Sequence, residues 1–235
     1  MQNKYAGDVG DFGKLGMLRR INSTGLTLGI NWYLMPDDGN NDGKHIGYLN
    51  DSKFLGCDDE LYHELKSIVD GRRRCVRSLE DARFIPNTAF YSSILSMENT
   101  RDSWHQDALK TLEAKDVVFL DPDNGLMPKS KSAIQYDGGK YVLPEELADY
   151  YSRGQSVIFY NHRTREKTEV YLDKFRSLRD SGLFIDACWL CIRFKRGTAR
   201  DYFFIMQPHH RECIKSTMVN MLDSPWQKHF ERIDI

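Results

Sequence analysis

Val117-Val118-Phe119-Leu120, followed at once by Asp121-Pro122-Asp123-Asn124-Gly125, constrains this chain more than any other stretch. An unbroken apolar run rich in β-branched and aromatic residues suits a strand covered on both faces, as in the interior of a parallel sheet. Pro, Asn and Gly then stop it. In open α/β sheets, ligands sit beyond the carboxyl ends of such strands, so carboxylates and an amide there are site candidates as well as turn formers.

A chain of 235 residues fits one large α/β domain, and no repeat, low-complexity tract or Pro/Ser-rich linker marks an internal boundary, so 1–235 reads as a single domain. Hydrophobic content of 40% with 29% charged residues is globular and excludes a disordered chain. No apolar run approaches the roughly 20 residues of a membrane helix, and the polar start (Gln2, Asn3, Lys4) lacks a signal peptide's hydrophobic region, so the expectation is a cytoplasmic protein with no membrane partner. Five cysteines, an odd number, argue against a disulfide framework. Cys188 and Cys191 form a C-x-x-C inside an apolar strand-like stretch with no second such pair, which reads as buried thiols rather than a zinc site.

The remaining elements follow from periodicity. Asp11 to Asn22 reads as a helix with Asp11 as a possible cap, after a glycine-rich loop, and Leu26 to Leu34 as a first core strand. Asp58 to Val69 is the next helix, Ala89-Phe90-Tyr91 an edge strand, and Ser103 to Leu112 a helix before the strand Asp116 to Leu120. Pro144 opens another helix, with acids in its first turn where the helix dipole favours them. Ser156 to Tyr160 is a buried strand that runs into Asn161-His162-Arg163. A helix over Thr168 to Ser181, strands over Phe184 to Phe194 and Asp201 to Met206 joined as a hairpin, and a last helix over Lys215 to Leu222 complete the chain. Trp32 and Trp189 read as core, and His209-His210 as a surface pair before that last helix.

This order resembles the class I S-adenosylmethionine-dependent methyltransferase fold: a Rossmann-like, mostly parallel α/β sheet with helices on both faces and a C-terminal antiparallel strand hairpin. Asp121-Pro122-Asp123-Asn124 falls where amino-methyltransferases carry D-P-P-Y or N-P-P-Y. Tyr5-Ala6-Gly7-Asp8-Val9-Gly10-Asp11-Phe12-Gly13-Lys14 is similar to the opening motif of the large-subunit ribosomal RNA adenine-N6 methyltransferases, which contributes there to the cofactor and substrate sites. The chain also resembles a bacterial family of uncharacterised proteins sharing G-D-x-G-D-F-G-K and F-L-D-P-D-N-G.

The resemblance implies an enzyme that methylates an amino group, with a nucleic-acid base among the acceptors. It makes Asp121, Pro122, Asp123 and Asn124 the catalytic candidates, Asp121 and the Pro122 carbonyl holding the amine as its nitrogen becomes cationic. Where the family stacks a flipped base on an aromatic residue, this chain has Asn124, so either stacking falls to Tyr160 or Phe12 or there is no base at all. Tyr5, Asp8, Asp11, Lys14, Asp37, Gly39 and Asn40 are the candidates for the cofactor S-adenosylmethionine, and His45, Tyr160, His162 and Arg163 for the acceptor. The usual glycine-rich turn after the first strand is replaced by Asp37-Asp38-Gly39-Asn40.

Two rival readings come from the same residues. Asp8, Asp11, Asp37, Asp38, Asp42, Asp121 and Asp123 are the right type to hold Mg²⁺ or Mn²⁺, with Lys14, His45, His162 and Arg163 steering a phosphate, which gives a phosphoesterase or nuclease; the core metal set is Asp11, Asp37, Asp121 and Asp123. A methyltransferase-like fold that lost its cofactor turn gives a non-catalytic binding module instead. A net charge of −1 supplies no global nucleic-acid footprint, so such a partner would rest on local patches, Arg72-Arg73-Arg74 with Arg77 and Arg193-Lys195-Arg196 with Arg200.

Overall fold

The computed structural model describes residues 1–39, 42–95, 100–128 and 138–235. Strands are β1 (Leu28–Asn31), β2 (Ala89–Tyr91), β3 (Val117–Leu120), β4 (Gly125–Leu126), β5 (Tyr141–Val142), β6 (Ser156–His162), β7 (Cys188–Phe194), β8 (Arg200–Met206) and β9 (Phe230–Ile233). Helices are α1 (Val9–Asn22), α2 (Ser52–Leu55), α3 (Asp59–Asp70), α4 (Val76–Asp81), α5 (Arg101–Thr111), α6 (Pro144–Ser152), α7 (Thr168–Arg179) and α8 (Arg211–Leu222).

The main sheet has the order β2-β1-β3-β6-β8-β7-β9. β2, β1, β3 and β6 run parallel, β8 lies antiparallel between β6 and β7, and β9 pairs antiparallel with β7. The expected α/β architecture, a mostly parallel sheet with antiparallel strands toward the C-terminus, is what forms. The period-two alternation of the strands sorts their side chains to two covered faces. Val117, Phe119, Ile158, Tyr202 and Phe204 pack with α1, α3, α4 and α8. Val118, Leu120, Val157, Phe159, Phe203 and Ile205 pack with α5, α6 and α7. None of the described helices is long and apolar enough to cross a membrane.

Several sequence boundaries shift for local reasons. Asp8, not Asp11, caps α1, its carboxylate accepting from the backbone N–H of Gly10 and Asp11. β1 is shorter than Leu26 to Leu34, because Tyr33 adopts a positive φ of 46° that ends the extended run. β6 runs through Asn161 and His162, which pair with Asp201 and Arg200. β7 starts at Cys188 rather than Phe184, after Asp186 at φ 59°. His210 is buried and bonded to Ser156 Oγ (3.0 Å), not a surface residue. Trp32 is wholly buried, as expected, whereas Trp189 is half-buried.

The glycines of the N-terminal motif are packing residues as well as loop formers. Gly10, Gly13 and Gly16 recur every third position along α1, so they share one helix face. A Cβ would sit 2.6 Å from the Arg200 guanidinium at Gly10, 2.7 Å from the Phe194 ring at Gly13, and closer still to the edge of the Trp226 ring at Gly16. The stripe lets α1 press against the β7–β8 hairpin and the segment before β9. Gly16→Ala should therefore destabilise by about 1–3 kcal/mol through overpacking, despite the roughly 1 kcal/mol that alanine gains over glycine in a helix. Urea denaturation checks this; a stabilised variant would show that Trp226 yields.

Candidate functional site

Beyond the carboxyl end of β3 lies a cavity of about 330 Å³, a size that suits a small ligand. Its floor is a row across three adjacent strands. Leu120 pairs with Phe159 and Tyr160 with Tyr202, so Asp121, Tyr160 and Tyr202 stand level on β3, β6 and β8. By alternation Asp121 shares the face of Val117 and Phe119, the face that α1 covers. The N-terminal turns of α1 form the roof.

Lys14 descends from that roof. Its ammonium lies 2.6 Å from Asp121 Oδ2 and 2.7 Å from Asp11 Oδ1, and 5.0 Å from the centre of the Trp32 ring. All three charged residues are at most 5% exposed. Burial alone would lower the Lys14 pKa, but the two carboxylates outweigh it and hold the ammonium above the usual lysine range. Burial raises Asp11 and Asp121 despite the pull of Lys14, and Asp8 adds to the rise at Asp11. Asp11 Oδ2 also accepts from the Gly7 N–H at 2.9 Å. Asp121 Oδ1 and the Pro122 carbonyl receive no hydrogen bond from any described residue, and both residues line the cavity.

The second side is built by the start of β8. Arg200 Nη2 lies 3.4 Å from Asp8 Oδ2, and Nη1 bonds the carbonyls of Arg196 and Thr198 at 2.8 and 2.9 Å. Burial opposes the Arg200 charge but Asp8 restores it. Burial and the neighbouring Arg200 lower His162, whose Nδ1 lies 3.3 Å from the Tyr160 hydroxyl. The Tyr202 side chain is wholly buried, and its hydroxyl has no partner among the described residues.

Most of the residues expected from the sequence meet here. Tyr5, Asp8, Asp11, Lys14, His45, Asp121, Pro122, Asp123, Asn124, Tyr160 and His162 all line the cavity. Asp123 is already committed: the Met1 ammonium lies 2.6 Å and the Gln2 amide 2.8 Å from it, and although burial acts upward, that ammonium holds its pKa below the ordinary value. Asn124 closes the turn through its backbone, donating to Lys140 O (2.9 Å) and accepting from His162 N (3.2 Å). Gly125 (φ 105°) follows it, with Asn161 Oδ1 where a Cβ would be.

Others fall elsewhere. Asp37 is exposed and accepts from the Lys4 N–H at 3.3 Å, outside the lining, and Gly39 faces open space. Asn40 lies outside the described residues. The Arg163 guanidinium turns toward α7, bonding Glu166 O at 2.9 Å and lying 4.4 Å above the Tyr171 ring. Phe12 cannot stack a ligand, because it is buried against Tyr48, Phe54 and Trp226. Of the expected basic patches, Arg72, Arg73 and Arg77 are exposed, while Arg74 bonds the Ala6, Lys4 and Gly43 carbonyls, Arg193 chelates Asp201 at 2.7 and 2.9 Å, and Arg196 bonds His229. The metal set does not assemble either. Lys14 occupies the space between Asp11 and Asp121, Asp37 lies apart, and no group of three acidic, His or Cys residues among those described could hold an ion.

Sequence reasoning missed Met1, Gly10, Lys140, Thr198 and Tyr202 as lining residues and gave Arg200 only to a basic patch, whereas Asp38 and Asp42, named for the rival metal reading, do line the cavity. No family model matches the chain, and no curated protein sequence matches it. Among solved structures it is similar to a protein from Legionella pneumophila str. Philadelphia 1 described as family-model DUF519, with a TM-score of 0.50 and 12% identity over 97% of each chain, a likeness of fold alone.

Proposed function

We propose that the protein is an S-adenosylmethionine-dependent methyltransferase acting on an amino group. The observation that carries the reading is the pair of acceptors beyond β3: Asp121 Oδ1 and the Pro122 carbonyl, both at the cavity and both without a donor among the described residues. An NH₂ group has two N–H bonds to give, and two acceptors at one strand end match it.

The donor set fits the cofactor. The lining carries Asp8, Asp11, Asp38, Asp42, Asp121 and Asp123 against Lys14, Lys140, Arg200 and the Met1 ammonium, an acidic excess that favours a cationic ligand over a phosphate ester. On the β1 side Asp38 is paired with Lys4 and with Lys140 (3.1 Å), and Asp42 beside it is of the type suited to hydroxyl groups or an ammonium. S-adenosylmethionine, when bound, supplies a methyl group on a positively charged sulfur. Asp121 orients the amine, stabilises the positive charge that grows on its nitrogen, and takes at Oδ1 the proton that the nitrogen gives up. Lys14 opposes the rise that burial imposes on the Asp121 pKa and, bonded to Oδ2, fixes its rotamer. Tyr160 and Tyr202 form the apolar wall on the acceptor side, their rings 6.2 Å apart edge to face.

Calorimetry separates the readings. Saturable binding of S-adenosylmethionine and none of Mn²⁺ is expected; Mn²⁺ binding alone would favour a phosphoesterase, and neither would leave a binding module.

A further inference from the structure

The two edges of the main sheet are unlike. At one end, β9 and the residue after it carry Glu231, Arg232 and Asp234, charges of the kind that guard an edge strand against pairing with another chain. At the other end β2 has no such guard. Between Arg83 and Glu98 no residue is charged, just as none is between Arg20 and Asp37, the run that holds the interior strand β1. β2 thus has the composition of a strand with neighbours on both sides, yet among the described residues only β1 pairs with it.

This edge is held ready in extended form. Trp32 N donates to the Tyr91 carbonyl at 3.1 Å and Leu95 N to the Leu34 carbonyl at 2.8 Å, so the chain keeps beside β1 past the end of β2. The Tyr91 hydroxyl donates to Trp104 O and Trp104 Nε1 to Ser93 O, each at 2.9 Å, which fastens the segment to α5. The Phe90 ring stacks on Trp32 with centres 6.3 Å apart. Because Tyr91 bonds inward, the alternation of the ladder turns the backbone groups of Thr88, Phe90 and Ser92 away from β1. No described backbone group pairs with them. All three residues are half-buried, and Ile94 just beyond them is 47% exposed.

We propose that β2 is the contact strand of a homodimer, pairing antiparallel with β2 of a second copy so that one sheet runs through both. A two-fold contact sets a surface against itself, so a charged edge repels its own copy. β2 meets that requirement, whereas β9 centred on its own copy would set Glu231 against Glu231 or Arg232 against Arg232. With Phe90 opposite Phe90 of the second copy, Thr88 falls opposite its Ser92, and in each of these pairs the outward groups exchange both N–H···O=C bonds. The paired segment is short, which places the contact among weak interfaces, with a dissociation constant of about 10–100 µM. β1 separates β2 from β3 and the cavity beyond it, so the inference stands independently of the methyl-transfer reading.

Sedimentation velocity on the wild-type chain, from about 1 to 300 µM, should follow a monomer–dimer equilibrium. Hydrogen exchange at the two ends of that range should show the Phe90 and Ser92 amides protected only in the concentrated sample. Thr88→Lys with Ser92→Lys puts lysine opposite lysine and should weaken association about tenfold. Thr88→Glu with Ser92→Lys puts opposite charges there and should restore it. Melting temperatures taken on dilute samples check that each variant folds, and if either fails, the wild-type exchange pattern decides alone. A wild type that stays monomeric throughout would leave the edge to a different chain and overturn the proposal. Protection confined to another surface, or equal association in the two double variants, would overturn it as well.

Discussion

Lys14→Met is expected to destabilise the protein by about 3–5 kcal/mol, because it leaves Asp11 and Asp121 buried on either side of a missing cation. For a chain of this size that is a fall of about 6–20 °C in melting temperature. The length and apolar stem of methionine fill the space, so the loss is electrostatic. Its pH dependence follows from the directions of the shifts. Burial already raises both carboxylates, and without Lys14 the opposing pull disappears, so their folded pKa values rise further above the unfolded ones. A carboxylate of that kind costs stability above its folded pKa and stops costing it as pH falls and the group protonates. The gap between wild type and variant should therefore narrow from pH 8 to pH 5 in thermal melts. A gap that widens with acid would show that Lys14 does not neutralise this pair.

Asp121→Asn should cost activity far more than stability. The amide keeps the volume and one oxygen for Lys14, which retains Asp11 at 2.7 Å, so no charge is stranded. On the proposed reading, what is lost is the carboxylate that takes the proton and faces the growing charge, worth about 10²–10⁴ in rate for a positioned base. Transfer of labelled methyl groups from S-adenosylmethionine to nucleosides and to RNA from cells lacking the protein measures it. Wild-type rates in Asp121→Asn would remove the residue from catalysis.

How far the sequence alone carried can be judged at particular residues. The strand Val117 to Leu120 and the acids beyond it were legible because a parallel strand presents its carboxyl end to the site, and the helix bearing Lys14 was legible from its apolar spacing. Arg200 and Tyr202 were not, for a geometric reason: β8 runs against β6, so it brings its first residues to the cavity, and a rule that inspects strand ends passes over strand starts. The role of Gly10, Gly13 and Gly16 was hidden because the ring and guanidinium they accommodate lie some 180 to 210 residues further along the chain. Asp37 and Arg163 misled for the opposite reason. Both follow strands that end at the site, but the backbone turns outward at Asp37 and toward α7 at Arg163.

The most direct test of the account is a crystal structure of the protein soaked with S-adenosylhomocysteine. The account predicts the compound in the cavity beyond β3, its sulfur facing Asp121 and its polar groups on the Asp38 and Asp42 side. Density for it anywhere else, or an unchanged cavity at saturating concentration, would contradict the claim that this sheet edge is built for methyl transfer.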